Sequence, residues 1–235
     1  MTSIIVALDV PSADSALDLI TRLGDRVDYY KIGSPLFTRI GPAIVREVKA
    51  RGKRVFLDLK YHDIPSTVAR AVESATELNV DMLTVHASGG GAMLRAAAEA
   101  AGESGPRLLG VTILTSFSAD DVESVWDKQI LSVRDEVVRL AGLAADSGLH
   151  GIVSSPLEAE TLKRRHGAQF LVVTPGIRPA GDKLGDQART ATPADAARAG
   201  ADYLVIGRPV LDAADPVAVI EAVTADIAGV ELAGI

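Results

Sequence analysis

The sequence predicts an α/β protein of the (β/α)8 TIM-barrel class, with residues 1–235 forming a single domain. Short β-rich apolar runs alternate with longer amphipathic stretches, the pattern of right-handed βαβ units on a parallel sheet. Eight such pairs can be counted, the number that closes a barrel. No Gly-x-Gly-x-x-Gly follows the first strand, which weighs against an open doubly wound sheet. No linker, low-complexity tract or long block of like charge divides the chain.

The first apolar run spans 4–10, and Ser12 stands where an N-cap would open a helix over 12–23. A second strand over 29–33 leads into a helical pattern over 35–51. The third, over 55–60, begins with apolar Val55, Phe56 and Leu57 and ends in charge; a helix over 64–79 follows. Strand four covers 82–87 and its helix 90–101. Strand five covers 108–114, and its helix begins only at 131 and ends at 147. Strand six, 151–155, feeds a helix over 156–166. Strand seven, 170–176, is separated by another long connection from a helix over 193–199. Strand eight, 203–208, and a helix over 216–228 complete the pattern. The long connections after strands five and seven suggest segments that cover a ligand.

A chain of 235 residues can bury a large core without staples. It has no cysteine, which excludes disulfides, zinc–thiolate sites and cysteine nucleophiles, and fits a reducing cytoplasm. The formal net charge of −7 argues against a general nucleic-acid binder. The start of the chain is strand-like, without a basic and then apolar leader, and no apolar stretch reaches membrane-spanning length. The expected setting is cytoplasmic, with neither nucleic acid nor membrane as partner.

Chemistry in a barrel gathers at the carboxyl ends of the strands. Those ends carry Asp9, Lys31, Asp58 with Lys60, His86, then Thr115 and Ser116, then Pro175, Gly176 and Arg178, and finally Gly207 and Arg208. Strand alternation sends Asp58 and Lys60 to one face. Burying two ionisable groups side by side is costly unless they are paired or used. An internal salt bridge that only shapes the fold would satisfy the pair alone, but not so many charges at one rim.

At these residues the chain resembles the orotidine 5'-phosphate decarboxylase family, from residue 5 to about 210. The sharpest element is D-L-K-Y-H-D-I-P-S-T-V at 58–68, with Tyr61 and Ser66 where the usual motif has Phe and Asn. Around it stand A-L-D at 7–9, K-I-G at 31–33, L-T-V-H at 83–86, V-T-I-L-T-S at 111–116, T-P-G-I-R at 174–178 and V-I-G-R-P at 205–209. The resemblance implies decarboxylation of orotidine 5'-monophosphate to UMP and CO2 in pyrimidine synthesis, without a cofactor or metal. Lys60 is then the proton donor to C6, and Lys31, Asp58, Lys60 and Asp63 form an alternating array. Asp9 is expected on a ribose hydroxyl, Thr115 or Ser116 on the pyrimidine, and Pro175 on the substrate. Gly207 and Arg208 are expected to grip the phosphate, since a glycine N–H and a guanidinium fork suit a dianion. Arg178 and Gln187 belong to a segment closing over that phosphate, in which Arg189 reads as readily as a solvated side chain. A homodimer with composite sites is implied, Asp63, Ile64 and Thr67 reaching into the partner's site.

The alternative is a Mg²⁺-dependent phosphosugar decarboxylase, synthase or epimerase of the same barrel group, which shares D-x-K-x-x-D. Those relatives carry a carboxylate on strand two to help bind magnesium, where this chain has Lys31. His62 and His86 with Asp58 and Asp63 would suit a metal cluster of the epimerase kind, but Lys31 and Lys60 crowd the same mouth. A catalytically silent phosphate-binding barrel is a third reading, opposed by the intact Asp58, Lys60 and Asp63.

Overall fold

The computed structural model of the chain describes residues 2–127, 129–130, 132–179 and 189–233. Eight strands run parallel in chain order: β1 (Ser3–Ala7), β2 (Tyr29–Gly33), β3 (Arg54–Tyr61), β4 (Met82–His86), β5 (Arg107–Val111), β6 (Gly151–Val153), β7 (Leu171–Thr174) and β8 (Tyr203–Ile206). They close into a barrel, β8 pairing with β1 through Ser3 beside Tyr203 and Val6 beside Ile206.

The helices α1 (Ala13–Leu23), α2 (Ser34–Ile40), α3 (Pro42–Ala50), α4 (Pro65–Glu77), α5 (Gly90–Ala101), α6 (Ala119–Trp126), α7 (Val133–Asp146), α8 (Pro156–His166), α9 (Pro193–Arg198), α10 (Arg208–Leu211) and α11 (Pro216–Ala233) lie between or after the strands. Ser12 caps α1 as expected, its hydroxyl accepting from Ser15 N–H at 3.2 Å. None of the described helices is long and apolar enough to cross a membrane.

Strand alternation sorts the core into two layers. Outward residues such as Val6, Tyr30, Ile32, Leu57 and Leu83 pack under the helices. Inward residues, among them Ile5, Tyr29, Phe56, Met82, Leu109, Val173 and Val205, fill the barrel. Tyr29 and Lys31 share a face by the same alternation, so an ammonium follows a packed aromatic ring into the barrel mouth. Lys31 lies beside Ala7 on one side and Phe56 on the other, and Gly33 lies beside Asp58.

The structure departs from the sequence expectation in several places, among them the short helix α10, which starts at Arg208 where strand eight was expected to end. The helix expected over 35–51 is two helices, because Gly41 adopts φ 72°, ψ −159° and Pro42 starts a new one. α6 was not anticipated; it is opened by a capping box in which Ser118 and Asp121 satisfy each other's backbone N–H groups. Several strands stop short of their expected carboxyl ends, β5 at Val111 and β7 at Thr174, where the backbone leaves the ladder to form the rim.

Candidate active site

A cavity of about 500 Å³ opens at the carboxyl ends of the strands. Its floor is apolar, made by Ala7, Phe56, Val111, Val153 and Val205, and its walls carry Asp9, Lys31, Asp58, Lys60, Thr115, Ser116, Pro175, Arg178, Gly207 and Arg208. Ten of the sequence-expected site residues therefore meet around one space.

The charged side is a chain of ion pairs. Lys31 Nζ lies 3.0 Å from Asp9 Oδ1 and 3.8 Å from Asp58 Oδ2. Lys60 Nζ donates to both oxygens of Asp58, at 2.8 and 2.9 Å. The order is thus Asp9–Lys31–Asp58–Lys60, each cation next to an anion. The side chains of Lys31 and Asp58 are only 12% and 13% exposed, which strengthens their interaction. Lys60 is 34% exposed, so its ammonium faces the cavity while held from behind.

Asp58 and Lys60 do not meet by simple alternation. The β3–β4 register jumps from Leu57 beside Leu83 to Tyr61 beside Val85, so β3 bulges here. Lys60 sits at φ 53°, a left-handed conformation that costs a side-chain-bearing residue about 1–2 kcal/mol. Its N–H donates to the Thr84 hydroxyl at 2.9 Å, and that hydroxyl donates to Asp58 Oδ1 at 3.0 Å. Bulges and left-handed residues beside functional sites re-aim side chains in this way.

Thr84 was not singled out from the sequence. It is fully buried, and alternation from Met82 turns it inward. A hydroxyl in the otherwise apolar run M-L-T-V was the available signal, because a buried hydroxyl needs partners. Gly33 was also missed. A Cβ there would lie 3.0 Å from Lys31 Nζ and 3.3 Å from Asp9 Oδ1, so glycine leaves room for that ion pair.

Asp63, expected in the array, lies outside the cavity of its own chain. It is exposed, and Oδ1 accepts from the Ile64 N–H at 2.6 Å. The fourth charge of the array within one chain is Asp9. Ile64 is 63% exposed and Thr67 half-buried, both at the start of α4 and neither lining the cavity. β3 ends at Tyr61, and the chain turns away from the mouth before reaching them. Gln187 lies outside the described residues.

On the far wall, Arg178 is 9% exposed and Nη1 donates to the Ile177 carbonyl at 2.7 Å. Its N–H donates to the Ala191 carbonyl at 3.0 Å, and Ile177 and Ala191 form a parallel bridge. Arg189 is not a solvated side chain: Nη1 donates to Glu158 at 2.7 Å and the side chain is 13% exposed.

The His62 and His86 rings lie 5.3 Å apart, tilted by 37°. Burial, then His62 and Lys60, push the His86 imidazole below its ordinary range, against the opposing pull of Asp58. Among the described residues no group of three or more His, Asp or Glu converges as a metal-ligand set.

A sequence profile described as the Orotidine 5'-phosphate decarboxylase / HUMPS family matches residues 2–223. A protein of Halorhodospira halophila named orotidine 5'-phosphate decarboxylase is 52% identical over 227 residues, covering 96% of this chain and 95% of that protein. One of the same name from Moorella thermoacetica is 48% identical over 231 residues, covering 95% and 91%. The crystal structure of orotidine 5'-phosphate decarboxylase from Lactobacillus acidophilus is similar with a TM-score of 0.85 at 35% identity, covering 97% of this chain and 99% of that one.

Proposed function

The chain belongs to the orotidine 5'-phosphate decarboxylase / HUMPS family, and from that membership we propose that it is a carboxy-lyase converting orotidine 5'-monophosphate to UMP and CO2. It acts as one barrel domain over residues 1–235, in the cytoplasm, without a cofactor. The observation that carries this reading within the family is Lys31. Its ammonium lies between Asp9 and Asp58, 3.0 and 3.8 Å away, at the strand-two position where the Mg²⁺-dependent members place a carboxylate. A cation there repels a divalent metal and occupies the carboxylates that would bind one.

The chemistry follows from the array. Cleavage of the C6–carboxylate bond leaves an electron pair at C6, in the plane of the ring, where the π system cannot absorb it. Lys60 transfers a proton from Nζ to C6, CO2 departs, and water later reprotonates the amine. Asp58 holds Lys60 in place before charge develops, so little reorganisation is needed at the transition state. Asp58 also faces the substrate carboxylate and raises the energy of the ground state there. Asp9 takes a ribose hydroxyl, Thr115 or Ser116 the pyrimidine edge, and Pro175 packs on the substrate. Gly207, Arg208, Arg178 and Gln187 hold the phosphate.

The deciding experiment follows the ultraviolet absorbance of orotidylate, with and without EDTA. Conversion to UMP is expected at a rate unchanged by exhaustive chelation. Loss of activity with EDTA, restored by Mg²⁺, would instead select the phosphosugar reading. Nucleotide binding without turnover would select a silent barrel.

The working unit in this proposal is a homodimer with composite sites. Asp63, Ile64 and Thr67 lie outside their own cavity, and the exposed Ile64 suits burial against a second copy. Lys60→Ala and Asp63→Ala proteins, each inactive alone, are mixed after dissociation. In a mixed dimer one site collects both defects and the other neither. Random exchange makes half the dimers mixed, so activity returns to about a quarter of wild type. No recovery despite demonstrated exchange would assign Asp63 to its own subunit's site.

A further inference from the structure

We infer that the buried Glu158–Arg189 ion pair, behind the cavity wall, positions Arg178 for the substrate's phosphate. The inference rests on the proposed reading of the pocket as a nucleotide site. Glu158 lies in the first turn of α8, which begins where the chain leaves β6, and it is 3% exposed. Arg189 Nη1 reaches it at 2.7 Å. Two residues on, Ala191 accepts the Arg178 N–H at 3.0 Å and bridges Ile177. Arg178 then lines the cavity. One continuous path of contacts therefore runs from α8 through Arg189 and Ala191 to an arginine that lines the cavity.

The pair is poorly suited to stabilising the fold. Glu158 Oε2 and Arg189 Nε and Nη2 are buried with no hydrogen-bond partner among the described residues. Desolvation of two charges, incompletely repaid, makes such a pair a weak source of net stability. Burial pushes the Glu158 carboxyl above the ordinary glutamate range, and Arg189 is the chief group opposing that shift. What the contact does supply is geometry. An arginine anchored at one point fixes where residues 189–191 re-enter the wall, and so where Arg178 is held. Glu158 and Arg189 are positioning residues here, since neither lines the cavity.

The test uses Glu158→Gln, which keeps the shape and removes the charge, and the double variant Glu158→Gln/Arg189→Met, which leaves no lone buried charge if the single variant folds badly. Two quantities are measured: amide hydrogen exchange at Arg178, and kcat/KM for orotidylate against orotidine, the nucleoside without phosphate. Exchange at Arg178 is expected to quicken by about tenfold or more. kcat/KM for orotidylate is expected to fall about tenfold to a hundredfold, the scale of a small misplacement remote from the reacting bond. Turnover of orotidine should stay within about twofold. Unchanged exchange, or equal losses on the two substrates, overturns the inference and leaves the pair a packing feature. If the wild-type enzyme fails to turn over orotidylate, the proposed activity falls. Exchange at Arg178 in the variants still decides whether the pair holds that residue.

Discussion

Replacing Lys60 by alanine is expected to lower kcat about ten-thousandfold while the barrel stays folded. The positioned proton alone accounts for about 10²–10⁴, and loss of the ammonium facing developing charge adds to it. The fold should persist because Asp58 is not abandoned. It keeps the Thr84 hydroxyl at 3.0 Å and Lys31 at 3.8 Å. Alanine also leaves the left-handed backbone at position 60 no worse than lysine does, since both carry a Cβ. Steady-state kinetics with circular dichroism and UMP titration check all three points. Affinity for UMP should fall by far less than kcat, because the product has no carboxylate or carbanion at C6. A Lys60→Ala enzyme with near-normal kcat would show that the proton comes from elsewhere.

Arg208→Ala should lower kcat/KM for orotidylate about 10²–10³-fold. Arg208 is exposed, so its contact with a dianionic phosphate counts as a charge-assisted, bidentate one, each hydrogen bond contributing about 1.5–3 kcal/mol. Arg208 opens α10 at the cavity wall, beside Gly207, and Arg178, which follows the neighbouring strand β7, lines the same cavity. Contacts remote from C6 can lower the barrier at C6 by assembling the site, so kcat as well as KM is expected to suffer. The control is orotidine without its phosphate, whose weak turnover should hardly change. Equal losses on both substrates would make Arg208 a support for the β8–α10 corner.

The barrel was legible because alternating strand and helix patterns are local signals, and eight repeats leave few topologies. The rim charges were legible for the same reason: a strand that ends in Asp58 and Lys60 has no packing use for them. Lys31 could be placed because alternation from Tyr29 determines its face. The β3 bulge was not legible. It depends on how β3 and β4 register, and Thr84 takes part only because it lies across from the break. For Asp63 the sequence carries half of the answer. The short turn into Pro65 implies that it leaves its own barrel mouth, where it is exposed and does not line the cavity; what it meets there lies beyond a single chain. Arg189 could not be separated from a solvated side chain because its partner, Glu158, is 31 residues away in the sequence. Contacts of that span leave no periodic trace.

The seam between β1 and β8 has a consequence for biosynthesis. Asp9 follows the first strand and Gly207 with Arg208 follows the last, and a Cβ on Gly207 would lie 3.8 Å from Asp9 Oδ2. The two ends of the chain therefore build one corner of the cavity. As the chain leaves the ribosome, the first seven strands can associate, but their outer edges stay unpaired until Tyr203–Ile206 emerges. Such edges invite association with other chains. Contacts between residues so far apart in sequence are also the slow ones to form. The corner shared by Asp9, Gly207 and Arg208 is thus the last part of the cavity wall to come into being, and a nascent chain halted before β8 carries an open sheet edge where the finished barrel is closed.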